Sequence, residues 1–270
     1  MVQTARQAEG GHSMTLLEGK AISVSFGGVQ ALSAVDLSVH EGDVLDLIGP
    51  NGAGKTTLLN AISGLCPARS ETLKFNGTEI SRLKPHRRAK LGIARTFQVV
   101  KPFDRLTVVE NVAVGAMFSG HKIPTRSRVI ERARVALEQV GIASKADLFP
   151  RQLTLSERQQ LELARALAME PALLLLDEVM AGLNHAEIEK TMALIQHINK
   201  NLGITIVVVE HVMKAIMNVC NRIVVLHFGK KIAEGTPARI VESPEVIQAY
   251  LGKRFADRQR RDQAQRAAQP

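Results

Sequence analysis

A chain of 270 residues can bury a sizeable core and lies near the upper size for one hydrophobic core, alone or with a smaller lobe. Its formal charge of +9 suits nucleic acid or acidic lipid and equally an ordinary solvated surface with a polar tail, but Trp is absent, Tyr occurs once and Phe eight times; with no basic and aromatic residues interleaved, base-stacking proteins are disfavoured. Cys66 and Cys220, the only two cysteines, are distant in sequence and in no metal-like spacing, so they suggest neither a disulfide framework nor a zinc site and fit a reducing compartment, and the longest apolar runs, 172–176 and 204–209, fall well short of the roughly 18 residues of a membrane span.

Residues 1–14 lack the apolar stretch of a signal peptide and read as a disordered lead-in. From Lys20 to Ile48, short β-branched and alternating runs broken at Gly27-Gly28 and Glu41-Gly42 predict strands. Thr56 to Ser63 has helical spacing, with Leu58, Leu59 and Ile62 on one side and Gly64 as its stop. Two or more amphipathic helices are expected between about 107 and 146, the clearest over 127–140. From Ser156 the order is helix, strand (172–176), helix (185–200), strand (204–209), helix (212–219) and strand (222–226). That alternation implies an α/β chain with a parallel sheet covered by helices. A closing strand and short helices follow over 232–251, with Pro237 and Pro244 at first-turn positions. The tail from Lys253 is basic and reads as disordered.

Gly49-Pro50-Asn51-Gly52-Ala53-Gly54-Lys55-Thr56 fits G-x-x-x-x-G-K-[ST] between an apolar strand and a helix, the context that gives this motif its meaning. Backbone N–H groups of Asn51, Gly52, Ala53 and Gly54, with Lys55, Thr56 and Thr57 at the helix start, are the candidate nucleotide cradle. Lys55 reaches the β/γ oxygens and the Thr56 hydroxyl is a candidate ligand for Mg²⁺. An apolar strand then delivers Asp177 and Glu178 at its C-terminal edge, where open α/β sheets bind ligands. Asp177 is the candidate metal carboxylate. Glu178 is placed to take a proton from a water attacking the γ-phosphate.

The order of these motifs over residues 15–252 resembles the ATP-binding cassette of ABC transporters. That resemblance implies a P-loop fold with a RecA-like parallel-sheet core, an antiparallel β subdomain and a helical lobe over about 99–165. It also implies ATP and Mg²⁺ as ligands and an ATPase activity. Phe26 stands where the family stacks an aromatic on adenine. Arg95-Thr-Phe-Gln98 resembles the Q-loop, which implies contact of Gln98 with Mg²⁺ and the attacking water. Leu153-Thr154-Leu-Ser156-Glu157 is similar to the signature motif, Ala181-Gly-Leu-Asn184 to the D-loop, and His211 to the switch histidine. A helix N-terminus can bind the γ-phosphate of nucleotide held by another subunit, so the resemblance implies that Thr154 and Ser156 would act in trans and that ATP would join two cassettes.

GIARTFQ, LTVVENV, LELARALA and LLLLDEVMAGLN look like the ATP subunits of branched-chain amino-acid importers, although cassettes serving amides, urea or lipopolysaccharide export share most of these strings. The implied partners are transmembrane permease subunits, a second cassette and, indirectly, a periplasmic or surface solute-binding protein. No nucleic acid is expected, and the implied location is peripheral, at the cytoplasmic face of the cell membrane. Around Gln98 to Asn111, Val99, Val100, Phe103 and Leu106 are candidates either for a groove that receives a permease helix or for internal packing. A non-transport cassette acting on nucleic acid or ribosomes is the reading from another class. A plain P-loop kinase leaves 153–157 and His211 without a role. Several positions depart from the family pattern: Ser156 where Gly is usual, Val179 for Pro, Asn184 for Asp, Glu71 at a turn Gly, and Asp46 in the strand before the P-loop. An acid buried there without a partner is costly.

Overall fold

The computed structural model describes residues 14–97, 101–119, 125–211 and 217–251. Two long strands, β1 (Thr15–Phe26) and β2 (Val29–His40), form a hairpin. Gly27 and Gly28 turn it with φ of +51° and +89°, a region open to glycine at no steric cost. With β4 (Thr72–Phe75) and β5 (Thr78–Glu79) they make a four-stranded antiparallel sheet, order β2-β1-β4-β5.

The second sheet has six strands, order β10-β9-β3-β8-β7-β6. β3 (Val44–Ile48), β6 (Ile93–Arg95), β7 (Leu173–Asp177), β8 (Thr205–Val209) and β9 (Arg222–His227) run parallel, and β10 (Lys230–Gly235) returns antiparallel at the edge. Buried on both faces, the central strands read as continuous apolar runs. Side chains alternate between two cores. Leu173, Leu175, Leu45 and Leu47 pack toward the hairpin and α1 (Lys55–Ser63). Leu174, Leu176, Val44 and Ile48 face the opposite way, into the core shared with the helical block.

That block contains α3 (Val108–Met117), α4 (Arg126–Gln139) and α5 (Leu155–Leu167), which follow α2 (Pro85–Lys90) in the chain. Val112, Ala133, Leu137 and Leu161 are buried where these helices meet. After β7 come α6 (His185–Lys200) and, near the end, α7 (Pro237–Val241) and α8 (Pro244–Leu251), with the two prolines at the helix starts. Three helices begin with capping boxes: Thr107 with Glu110, Thr154 with Glu157, and Asn184 with Glu187. Each pair satisfies two amide donors of a helix start reciprocally.

Helix α1 ends at Gly64, in the left-handed conformation with φ of +80°. Beside it Arg88, 3% exposed, donates to the carbonyls of Ala61, Ile62, Leu83 and Ser81. A cation on the last carbonyls of a helix complements the negative end of its dipole.

The expected helix over 212–219 lies largely outside the described residues, as do the lead-in before Met14, the tail from Lys253, and Gln98, Val99 and Val100. Glu71 is exposed and its backbone lies outside the positive-φ region, so its turn requires no glycine. Ser156 sits in the first turn of α5 with ordinary helical φ, where a Cβ is no obstacle.

Candidate functional site

Residues 49–54 form a loop between β3 and α1. Gly49 has φ of +150°, and a Cβ there would lie 2.1 Å from the Leu226 carbonyl oxygen. At Gly54, φ +102°, a Cβ would meet the Ala31 carbonyl oxygen at 2.8 Å. Only glycine tolerates both the conformation and the approach. The turn between β9 and β10 braces the loop: Gly229 N–H donates to the Ala53 carbonyl at 3.0 Å, and Ser33 N–H to the Gly229 carbonyl at 2.8 Å.

Lys55, 6% exposed, curls back on its own loop. Its Nζ donates to the carbonyls of Gly49 at 2.7 Å and Pro50 at 3.1 Å. Burial draws its pKa down, against the pull of Glu178, Asp177 and Asp46. Both bonds are to carbonyls, which a more negative phosphate oxygen can replace.

Across the loop, Thr56 Oγ1 is 3.4 Å from Asp177 Oδ1. Asp177 ends β7 inside the sheet. Glu178 follows with φ of +53°, left-handed backbone that costs a non-glycine residue on the order of 1 kcal/mol. Its N–H is held by the Val209 carbonyl at 2.9 Å, and its Oε1 lies 3.0 Å from His211 Nε2. Glu210 accepts from the Met180 amide at 2.8 Å, and burial still pushes its pKa up to about 7. It thus holds the segment after Glu178 from below.

A cleft of about 640 Å³ is lined by the loop, Phe26, Thr57, Glu178 and His211. The structure therefore brings Phe26, residues 51–57, Glu178 and His211 to one place, with Asp177 behind Thr56. Phe26, half-exposed at the end of β1, offers a ring at the cleft wall. Leu153, Thr154 and Ser156 do not line it. The Leu153 side chain is buried in the helical core and its N–H is used by the Pro150 carbonyl, so its side chain has nothing to give a nucleotide. Thr154 and Ser156 stand at the positive end of α5, where Thr154 caps the Glu157 amide. Gln159 on the same helix donates to the Ala181 carbonyl at 3.0 Å and ties α5 to residues 181–184, a link invisible in the sequence.

Thr56 and Asp177 offer a hydroxyl and a carboxylate oxygen side by side, hard donors of the kind Mg²⁺ takes together with phosphates and waters. Among the described residues no group of three or more His, Cys, Asp and Glu is placed to hold a metal.

A larger cavity, about 790 Å³, opens between α1 and the helical block and reaches Thr56 and Asp177 from the other side. Phe97 and Phe103 are half-exposed near it. Arg165 lies over the Phe103 ring at 5.0 Å, and Asn111 holds the loop through the carbonyls of Phe103, Leu106 and Thr107. Glu162 accepts the Phe97 amide at 2.6 Å, and burial raises its pKa to about 7. Glu162 joins α5 to the chain that enters residue 98. Its place in LELARALA gave only a polar residue on a helix, since the partner is distant in sequence.

The family described as ABC transporter matches residues 32–181, and a branched-chain amino acid ATP-binding cassette transporter family matches residues 230–256. The chain is 36% identical over 253 residues to the high-affinity branched-chain amino acid transport ATP-binding protein BraF of Pseudomonas aeruginosa, covering 89% of this chain and 99% of that protein. LivG of Escherichia coli, of the same description, is 35% identical over the same shares. Among solved structures, an ATP-binding cassette of an ABC transporter in its ADP conformation superposes with a TM-score of 0.81 at 29% identity, covering 89% of this chain and 100% of the other. A dimeric cassette in a post-hydrolysis state, bound to ADP and Pi, gives 0.74 at 27% identity, covering 82% of this chain and 98% of that one.

Proposed function

The chain belongs to the ABC transporter family of ATP-binding cassettes, and from that premise we propose that it powers the import of branched-chain amino acids, docked on permease subunits at the cytoplasmic face of a membrane. The names of the relatives and the match over residues 230–256 support the solute class. No helix among the described residues is long and apolar enough to cross a membrane, which suits a subunit whose partners supply the pore.

One observation carries the chemistry: Asp177 and Glu178 at the end of β7 and His211 after β8 converge on the glycine loop and the Lys55 and Thr56 that follow it, three segments remote in sequence. On nucleotide binding, Lys55 exchanges its bonds to Gly49 and Pro50 for β/γ oxygens, while the loop amides wrap the β-phosphate. Phe26 stacks on the base. Thr56 and Asp177, with Gln98, would hold Mg²⁺, which neutralises charge developing on the phosphates when bound. Glu178 accepts the proton of the attacking water, and His211 holds the carboxylate in place from 3.0 Å. Thr154, through its hydroxyl, and Ser156, through its amide and hydroxyl, bind the γ-phosphate held by a second cassette at the positive end of α5. The larger cavity, with Phe97 and Phe103 at its edge, is the proposed seat of a permease helix.

The test is uptake of labelled leucine, isoleucine and valine by vesicles carrying the permease, a binding protein and this chain. Uptake that needs ATP and disappears with Lys55→Ala supports the reading. ATP hydrolysis without any uptake of these three solutes would point to another solute.

A further inference from the structure

Arg95 closes β6 beside the end of β7, and its side chain is 6% exposed. Its Nη2 donates to Asp177 Oδ2 at 2.9 Å, and that carboxylate is only 3% exposed. The other branch, Nη1, donates to Asn60 Oδ1 at 2.6 Å and Ser63 Oγ at 3.1 Å, both on α1. One guanidinium thus joins β6, β7 and the helix that follows the glycine loop. This orientation is kept although it leaves the buried Nε without a hydrogen bond.

A carboxylate has two oxygens, and its terminal torsion is broad unless something holds it. Here Oδ2 is taken by Arg95, so Oδ1 is the oxygen that faces Thr56 Oγ1 at 3.4 Å. Asp177 N–H is held by Thr96 Oγ1 at 3.4 Å, which anchors the backbone but leaves the carboxylate free to turn. The orienting contact is the guanidinium.

We propose that Arg95 is a positioning residue for the divalent cation: it occupies Oδ2 of Asp177, presents Oδ1 beside Thr56, and through Asn60 and Ser63 fixes that oxygen relative to the glycine loop. The proposal rests on the assignment of a metal to Thr56 and Asp177. Lysine can neutralise the carboxylate but has no planar fork with which to reach Asp177 and α1 together. Charge and geometry can therefore be separated by substitution. Outer-sphere partners of metal-ligating carboxylates typically govern roughly 10–100-fold of metal affinity.

The experiment uses the full chain in excess over ADP, Mn²⁺ as the probe, and EPR of free Mn²⁺ to obtain metal affinity; ADP affinity is measured separately in EDTA. Arg95→Lys is expected to weaken Mn²⁺ binding about tenfold while metal-free ADP affinity stays within about twofold. Arg95→Gln should lose more, and Asn60→Ala, which keeps the ion pair but removes its anchor, should lose less. If Arg95→Gln does not fold, the other two variants decide. Mn²⁺ affinity unchanged in both Arg95→Lys and Asn60→Ala overturns the proposal, as does an equal loss of metal-free ADP binding. A wild-type chain that binds ADP but no Mn²⁺ overturns the metal assignment and this proposal together; one that binds Mn²⁺ indifferently to Arg95 overturns this proposal alone.

Discussion

Strands β3 and β7 lie one strand apart in the same sheet, and each carries a buried aspartate: Asp46 is 0% and Asp177 2% exposed. Their surroundings are opposite. Asp177 ends its strand, where α1 and β6 bring Thr56 and Arg95 to its oxygens. Asp46 sits in the middle of its strand, between Val44 and Ile48 and paired in register with Val208 and Ile223. Neither of its oxygens has a hydrogen bond, although the amides of Leu47 and Glu210 offset a little of the cost. Burial, with Glu210 adding to it, pushes the Asp46 pKa well above the usual carboxylate range. A strand end opens on loops and helix starts that supply donors; at this strand centre the register neighbours on both sides are the aliphatic Val208 and Ile223. The same residue type is therefore given an ion pair and a hydroxyl partner in one place and, without such partners, driven toward its neutral form in the other.

The largest effect should come from the working end of β7. Glu178→Gln keeps the size and hydrogen bonding of the side chain but cannot take a proton, so ATP turnover should fall on the order of 10²–10⁴-fold while ATP binding persists. Steady-state phosphate release and nucleotide titration on one preparation check this, and a rate within threefold of wild type would remove Glu178 as the base. With hydrolysis blocked, Mg-free ATP should also shift the chain toward a dimer on size exclusion.

Next in size is Lys55→Ala. A charge-assisted contact to phosphate contributes about 1.5–3 kcal/mol, so ATP affinity should drop roughly 10–100-fold, and calorimetry giving an unchanged Kd would break the glycine-loop assignment.

Asp46→Ala tests the other side of the comparison. Removing a buried polar group that lacks partners should stabilise the fold by about 1–3 kcal/mol, less the small cavity it leaves, and thermal unfolding reads it directly. The pH dependence sharpens the result. Asp46, Glu162 and Glu210 all have folded-state pKa values above their unfolded ones, the two glutamates at about 7 against 4.5. Each binds its proton more tightly when folded, so stability is greatest below the unfolded pKa and declines as pH rises to about 7 for the glutamates. Asp46→Ala should remove its own share of that decline, so its advantage should grow with pH. An advantage that shrinks as pH rises would mean that Asp46 is charged and held by a partner.

The smallest effect is expected from Glu71→Gly. The side chain is exposed and its backbone needs no glycine, so stability should change by less than about 0.5 kcal/mol and ATP turnover not at all.

Local pattern was enough for what depends on neighbours in the chain. Helix α6 follows 185–200 as its spacing predicted, and α4 and β7 differ from expectation by one residue at each end, because the 3.6 and 2 periods are set by which side chains must be buried. The glycine loop was legible for the same reason: its conformation and its amides are properties of one short segment. Asp177 and Glu178 could be read at a strand end, and Asp46 could be read as an anomaly. Tertiary structure alone decided which partners those acids have. Arg95 meets Asp177 because β6 pairs with β7, Glu162 meets the Phe97 amide because α5 packs beside β6, and Glu210 lies under Met180 because β8 adjoins β7. Hydrogen bonds spanning 30 to 82 residues of sequence leave no local period to detect. Whether a buried charge is useful or merely costly is settled by such contacts, since the surrounding low dielectric magnifies both the paired and the unpaired case.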